Sequence, residues 1–378
     1  VDEGGTQCGI CTPGFIVSLC GFVLSDHPKT VENAINAVAG NICRCTGYKS
    51  IERAIGHIVT KLQGKDALPP LAWLIENEFL PSYFTGIQER LDAIKPKAQP
   101  EITENTVFVG GGTDLYVQRP AQMLPAEIVH LYNRTDLKGI WKDNGRCRIG
   151  ASTTAEALKQ SKIIKELSPK EIEAYFDLIS SAQIRHMGTL AGNLVNASPI
   201  GDLTVFFLSL NSNLVLNDNG SLRELPLNQF YKGYKVLDKK DTEYIQELNF
   251  ELPKSDTFYF NFEKVSKRTY LDIASTGSAM SLQCDANGKI LKAGASAGGV
   301  APVPFYLQKT VDFLEGKTVS VEVLSEALDI AQTEVAPISD VRGTAEYKKL
   351  LLRQLMLGHF IKFFPEMAKE LLGQLTAV

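Results

Sequence analysis

Gln7-Cys8-Gly9-Ile10-Cys11-Thr12-Pro13-Gly14-Phe15 and Gly40-Asn41-Ile42-Cys43-Arg44-Cys45-Thr46-Gly47-Tyr48 set four of the seven cysteines into a C-x2-C and a C-x-C pair. Each pair stands just before a predicted helix start, where unpaired backbone N–H groups and the positive end of the helix dipole favour thiolates. Four thiolates suit a tetrahedral zinc ion or an iron–sulfur cluster. The single residue between Cys43 and Cys45 is tight for one small ion, since structural zinc commonly spaces its paired cysteines by roughly two to four residues, and the spacing leans toward two irons. Gly9, Gly14 and Gly47 leave room for backbone N–H groups near the sulfides, and Arg44 offsets negative charge. Zinc and uncoordinated core cysteines stay open on spacing alone.

Working outward, the first 65 residues read as a small helical bundle. Thr12 is predicted to cap one helix with Pro13 in its first turn, Thr30 to cap a second that ends at Gly40, and Ser50 to cap a third that ends at Gly64. Residues 66–100 carry Pro69, Pro70, Pro81, Pro96 and Pro100 and read as a linker. Strands are then expected at 107–109, 127–132 and 146–149, with helices near 155–159 and 171–181, so residues 101–255 form an α/β or α+β domain. Residues 256–378 read as a smaller domain, with strands at 257–265, 279–283 and 289–293 backed by helices near 320–334 and 345–357.

Two blocks in the middle domain carry binding chemistry. Val107-Phe108-Val109-Gly110-Gly111-Gly112-Thr113-Asp114-Leu115 is a strand running into glycines, whose N–H groups can converge on phosphate oxygens while Thr113 adds a hydroxyl. It is not the G-x-G-x-x-G of a Rossmann fold, and alone it reads more simply as a glycine-rich turn between strands. Ile184-Arg185-His186-Met187-Gly188-Thr189-Leu190-Ala191-Gly192-Asn193, continuing to Ala197-Ser198-Pro199-Ile200-Gly201-Asp202, is too rich in small and polar residues for core filler. Asp202 taken singly reads as the N-cap of an apolar helix over 203–210, and His186 singly as a structural histidine.

Composition narrows the function classes. Thirty-nine basic against 43 acidic residues, a net charge of -4, give no electrostatic reason to expect nucleic acid or an anionic membrane. The apolar runs at 14–24 and 203–210 fall short of the ~20 residues a membrane span needs. The odd cysteine count is a poor disulfide framework, which points to a reducing compartment, the cytoplasm. The opening Val1-Asp2-Glu3-Gly4-Gly5 is not a signal peptide, and the chain reads as beginning inside a longer polypeptide.

The two cysteine segments resemble, nearly word for word, the helical second iron–sulfur domain of the xanthine dehydrogenase and aldehyde oxidoreductase family of molybdenum hydroxylases. The resemblance implies that Cys8, Cys11, Cys43 and Cys45 hold the [2Fe–2S] cluster nearest the molybdenum cofactor, and that Gln7 approaches the molybdopterin of a molybdenum-binding partner. The glycine loop and second block resemble the same family's FAD domain, of the vanillyl-alcohol oxidase type. That implies flavin contacts from Val109, Gly110, Gly111, Gly112, Thr113, Asp114, Thr189, Gly192, Asn193 and Asp202. Phe262-Glu263-Lys264-Val265-Ser266-Lys267-Arg268 is similar to the family stretch that nears the isoalloxazine ring, with Lys264 as candidate; a solvated strand edge is the plainer reading. Residues 297–302 match the glycine turn of the family's C-terminal flavoprotein domain.

The implied fold is multi-domain α+β: a helical [2Fe–2S] bundle, an FAD-binding domain and a smaller sheet-plus-helices domain. The implied role is electron transfer within a hetero-oligomer. Electrons from the partner's molybdenum centre pass through the cluster to FAD and on to NAD+, and no general acid or base is required of this chain. A plant-type ferredoxin domain normally precedes the helical one, and the molybdenum domain is also outside this sequence. Fusion of the iron–sulfur and flavin modules resembles the small-subunit arrangement of bacterial members of the family. A related aldehyde or N-heterocycle oxidoreductase, and a zinc-stapled scaffold without flavin, are the competing expectations.

Overall fold

The computed structural model describes residues 1–62, 70–94, 102–103, 105–253 and 257–375. Gly64, Pro69, Pro96 and Pro100, expected to end a helix or break the linker, and the Asp256 boundary lie outside the described residues. The chain divides into two compact units, one of residues 1–98 with 180–184 and one of 99–179 with 185–378.

The first unit is helical. Helices Thr12–Leu24, Val31–Val38 and Lys49–Leu62 bury Phe15, Phe22, Val38, Ile51, Ile55 and Val59 in one core. Thr30 caps the second helix as expected, its hydroxyl accepting from the Asn33 N–H at 3.2 Å. The other two starts differ from the expected ones. Cys11, not Thr12, is the N-cap residue of the first helix, and the third begins at Lys49, with Ser50 inside it and buried. Residues 66–100, read as a linker, include the helices Pro70–Glu76 and Ile87–Asp92. Leu74 and Leu80 are buried in the unit's core, so apolar contact overrides the proline signal there.

The second unit combines two antiparallel sheets with helices. Strands Ile140–Asp143, Arg146–Gly150, Glu243–Glu251, Asn213–Asp218 and Ser221–Pro226 pair in that spatial order. Strand Thr106–Val109 pairs in parallel with Glu127–His130, which sets the glycine loop at the end of a short parallel pair. The second sheet orders Phe258–Val265, Thr276–Cys284, Ile290–Gly298 and Phe305–Tyr306. Period-two alternation splits that sheet between two cores. Phe260, Phe262 and Ala279 join the core built on the apolar helix Asp202–Leu208, while Met280, Leu282 and Ala293 join the one covered by helices Val321–Glu334 and Ala345–Phe363. Ser320 caps the first of those helices, accepting from the Val323 N–H.

Among the described residues no helix is long and apolar enough to cross a membrane.

Candidate functional site: a thiol cluster and a glycine cradle

In the first unit the turns at Gly9 (φ +85°) and Gly47 (φ +63°) take the left-handed conformation that glycine adopts without Cβ strain. They bring the two cysteine loops together. The sulfurs of Cys8 and Cys45 lie 3.4 Å apart, and the Cys11 and Cys43 thiols interact across the same gap. Cys43 is buried, while Cys8 and Cys45 are exposed. The Thr46 hydroxyl donates to the Cys43 sulfur at 3.1 Å and the Thr46 N–H at 3.5 Å. Together with the Cys45 N–H they bring the Cys43 thiol down to about 7, toward the thiolate that metal binding needs. The Ile10 N–H, then Cys45, lowers Cys8 as well.

Among the described residues no three His, Cys, Asp or Glu side chains are arranged to hold one metal ion. Four thiols in two close pairs instead fit a two-iron cluster, which takes four cysteine thiolates. Gln7 is exposed beside this loop.

In the second unit the two polar blocks meet. A Cβ built on Gly110 would stand 2.4 Å from the Thr189 hydroxyl, and one on Gly111 only 1.7 Å from the Met187 carbonyl oxygen. Gly112 has φ +71°, with the Tyr116 ring packed over it. Among the described residues the N–H groups of Gly110 to Thr113 donate to no protein acceptor, so the loop offers a row of donors of the kind that binds phosphate oxygens. Thr189 caps the helix Leu190–Asn196, accepting from the Gly192 N–H at 3.1 Å. The Asp114 carboxylate accepts from the Gln118 amide at 3.3 Å.

Asp202 does not cap its helix. Gly201 is the N-cap residue, and Asn193 supplies the cap from another helix, its Oδ1 accepting from the Thr204 N–H at 3.2 Å and the Thr204 hydroxyl at 3.3 Å. This frees the Asp202 carboxylate, which accepts from Lys264 Nζ at 2.8 Å. Lys264 also donates to the Leu178 carbonyl at 2.8 Å, and its side chain is 1% exposed, so it is no solvated strand edge. Burial pushes the Asp202 carboxyl up, against the pull of Lys264. A cavity of about 170 Å³ lined by residues such as Leu210, Phe258 and Leu291 lies elsewhere and includes none of these groups.

Sequence reasoning missed the partners that hold the second block. Arg185, 2% exposed, donates to Glu156 at 2.8 Å, to Asp177 at 3.2 Å and to the Ile179 carbonyl at 3.1 Å. In the first unit, Gln183 donates to the Ala37 carbonyl at 2.7 Å. Arg185 stands among small and polar residues, and nothing in that run signals that its guanidinium is buried.

A helical cluster-binding domain followed by an FAD-binding domain defines the class of iron–sulfur flavoprotein oxidoreductases. Residues 1–56 match a [2Fe-2S] binding domain, residues 88–254 the FAD binding domain in molybdopterin dehydrogenase, and residues 261–363 the CO dehydrogenase flavoprotein C-terminal domain. These three domains place the chain in the molybdenum hydroxylase family. Xanthine dehydrogenase 1 of Arabidopsis thaliana is 24% identical over 95% of this chain and 32% of its own length. Aldehyde oxidase 1 of Bos taurus is 25% identical over 98% of this chain and 32% of its own. Among solved structures, a chain of the reconstituted CO dehydrogenase from Oligotropha carboxidovorans is 27% identical with a TM-score of 0.61, covering 68% of this chain and 88% of that one. The chain thus spans about a third of the length of the curated relatives it matches.

The approach at Gly111 yields a test. Its alanine variant sets a methyl against a backbone carbonyl rather than a flexible side-chain end, so Gly111→Ala should destabilise the chain by about 3 kcal/mol, the upper end of overpacking costs. Urea denaturation measures it; an alanine variant as stable as the parent contradicts the close approach.

Proposed function

We propose that the chain is the electron-transfer subunit of a xanthine dehydrogenase, working in a hetero-oligomer with a molybdenum-binding large subunit in a reducing compartment such as the cytoplasm. The observation that carries this reading is the joining, on one chain, of four thiols in two close pairs with a glycine loop held against a second polar block. When bound, the [2Fe–2S] cluster carries single electrons and FAD exchanges them for the hydride that NAD+ accepts.

The residues take these roles. Cys8, Cys11, Cys43 and Cys45 hold the cluster, and Thr46 keeps Cys43 disposed to the thiolate. Gln7 faces the partner's molybdopterin. Val109 to Asp114 give backbone N–H groups and the Thr113 hydroxyl to the flavin pyrophosphate, while Thr189, Gly192, Asn193 and Asp202 line the rest of its polar portion. Lys264 serves the isoalloxazine end and neutralises Asp202. The iron–sulfur domain comprises residues 1–65, a connecting segment 66–100, the FAD domain 101–255 and the C-terminal flavoprotein domain 256–378. A ferredoxin-like domain upstream completes the electron path.

Similarity to an aldehyde oxidase supports a second reading, an aldehyde- or N-heterocycle-oxidising relative with the same electron path. Anaerobic titration of the purified complex separates the two. Xanthine is expected to bleach the flavin and cluster absorption and NAD+ to restore it; bleaching by an aldehyde and not by xanthine transfers the assignment to the second reading.

A further inference from the structure

We propose that Arg185 is the positioning residue of the flavin cradle, a buried guanidinium that fixes the 187–189 turn against the glycine loop. This rests on the reading of residues 109–114 and 189–202 as flavin contacts.

The geometry forms a clamp. The helix Ala155–Gln160 grips the 185–189 stretch twice: its Ala155 N–H donates to the Gly188 carbonyl at 3.0 Å, and its Glu156 carboxylate accepts from Arg185 Nε at 2.8 Å. From the other side, Asp177, at the end of the helix Ile172–Asp177, and the Ile179 carbonyl take the remaining guanidinium nitrogens. Asp177 is itself tied to Lys159 at 2.5 Å. Two residues beyond Arg185, the Met187 carbonyl presses on Gly111, and Thr189 bridges to Thr154. A planar fork with several donors can hold two carboxylates and a carbonyl at fixed angles, whereas an ammonium on a flexible stem cannot. Arg185 therefore sets where Met187 to Thr189 stand, and through Gly111 where the loop N–H groups point, without itself touching flavin.

The test uses the full chain in its complex, stripped of flavin and titrated with FAD by fluorescence quenching, with cluster absorption and the thermal unfolding of the flavin-free protein recorded alongside. Arg185→Lys is expected to bind FAD about tenfold more weakly with its cluster content unchanged. Arg185→Gly should lose about a hundredfold, with ethylguanidinium restoring at least part of the affinity, a rescue that general loss of stability does not give. Should Arg185→Gly fail to fold, Glu156→Gln, which loosens one arm of the clamp, is expected to weaken FAD about tenfold. A folded Arg185→Lys or Glu156→Gln protein that binds FAD as tightly as the parent overturns the proposal. Failure of the parent itself to take up FAD refutes the flavin reading instead.

Discussion

Cys43→Ser is expected to remove iron from the protein completely while leaving FAD bound. Cys43 is the buried member of the four thiols, and the Thr46 hydroxyl and two backbone N–H groups favour its thiolate. A serine hydroxyl in that position stays protonated at neutral pH and offers iron no soft ligand. The three remaining thiols then leave one iron of the pair a ligand short. Iron content, the visible absorption and low-temperature electron paramagnetic resonance of the reduced protein should all lose the cluster signature, and flavin reduction by the partner's substrate should stop. FAD content should hold, because the cradle belongs to the other unit. Undiminished electron flow in this variant is the outcome that refutes the cluster assignment.

Lys264→Met is the second large effect. The lysine side chain is 1% exposed and its ammonium is the ion-pair partner of Asp202. Removing one member of a buried pair leaves an uncompensated charge, at a cost of about 3–5 kcal/mol. The loss should depend on pH with a definite sign. Burial already pushes the Asp202 carboxyl up, and without Lys264 nothing opposes it. An acid whose folded pKa exceeds its unfolded value holds its proton more tightly when folded, so it does no harm below the ordinary carboxylate range and penalises folding progressively as pH rises above it. The variant should therefore come nearest the parent in acid and fall furthest behind at neutral pH. Asp202→Asn in the same chain should recover most of the loss, since no charge is then stranded. Urea denaturation of single and double variants at pH 5 and 8 measures this; a pH-independent loss that the double variant does not relieve would place the effect in packing and not in the ion pair.

The local features of the site were legible in the sequence because their causes are local. A threonine or serine before an amphipathic run predicts a cap, and Thr30 acts as one, whereas Cys11 takes the place expected of Thr12 and Ser50 lies inside its helix. Glycines that end a β-branched run predict a turn whose N–H groups can turn to a ligand, and among the described residues those of Gly110 to Gly112, at the end of their strand, donate to no protein acceptor. Two cysteine pairs set before helix starts predict two loops able to share a cluster, and Cys8 meets Cys45.

Where competing local signals overlap, sequence gave the wrong partner. Asp202 has the residue type and place of an N-cap, yet Asn193 takes that task from another helix. Nothing in the run around either residue encodes the exchange. The proline-marked segment before the FAD domain likewise conceals Leu74, whose burial depends on a core built from helices far upstream.

From sequence alone come the three-domain α+β plan, the two paired-cysteine loops and the position of the glycine loop, since each depends on residue type and on spacing within a few turns of chain. Only the tertiary structure decides that Lys264 neutralises Asp202 and that Arg185 ties Glu156 to Asp177. A charge can stay out of water only where a distant partner and the surrounding apolar side chains arrive together, and that meeting is a property of the packed fold.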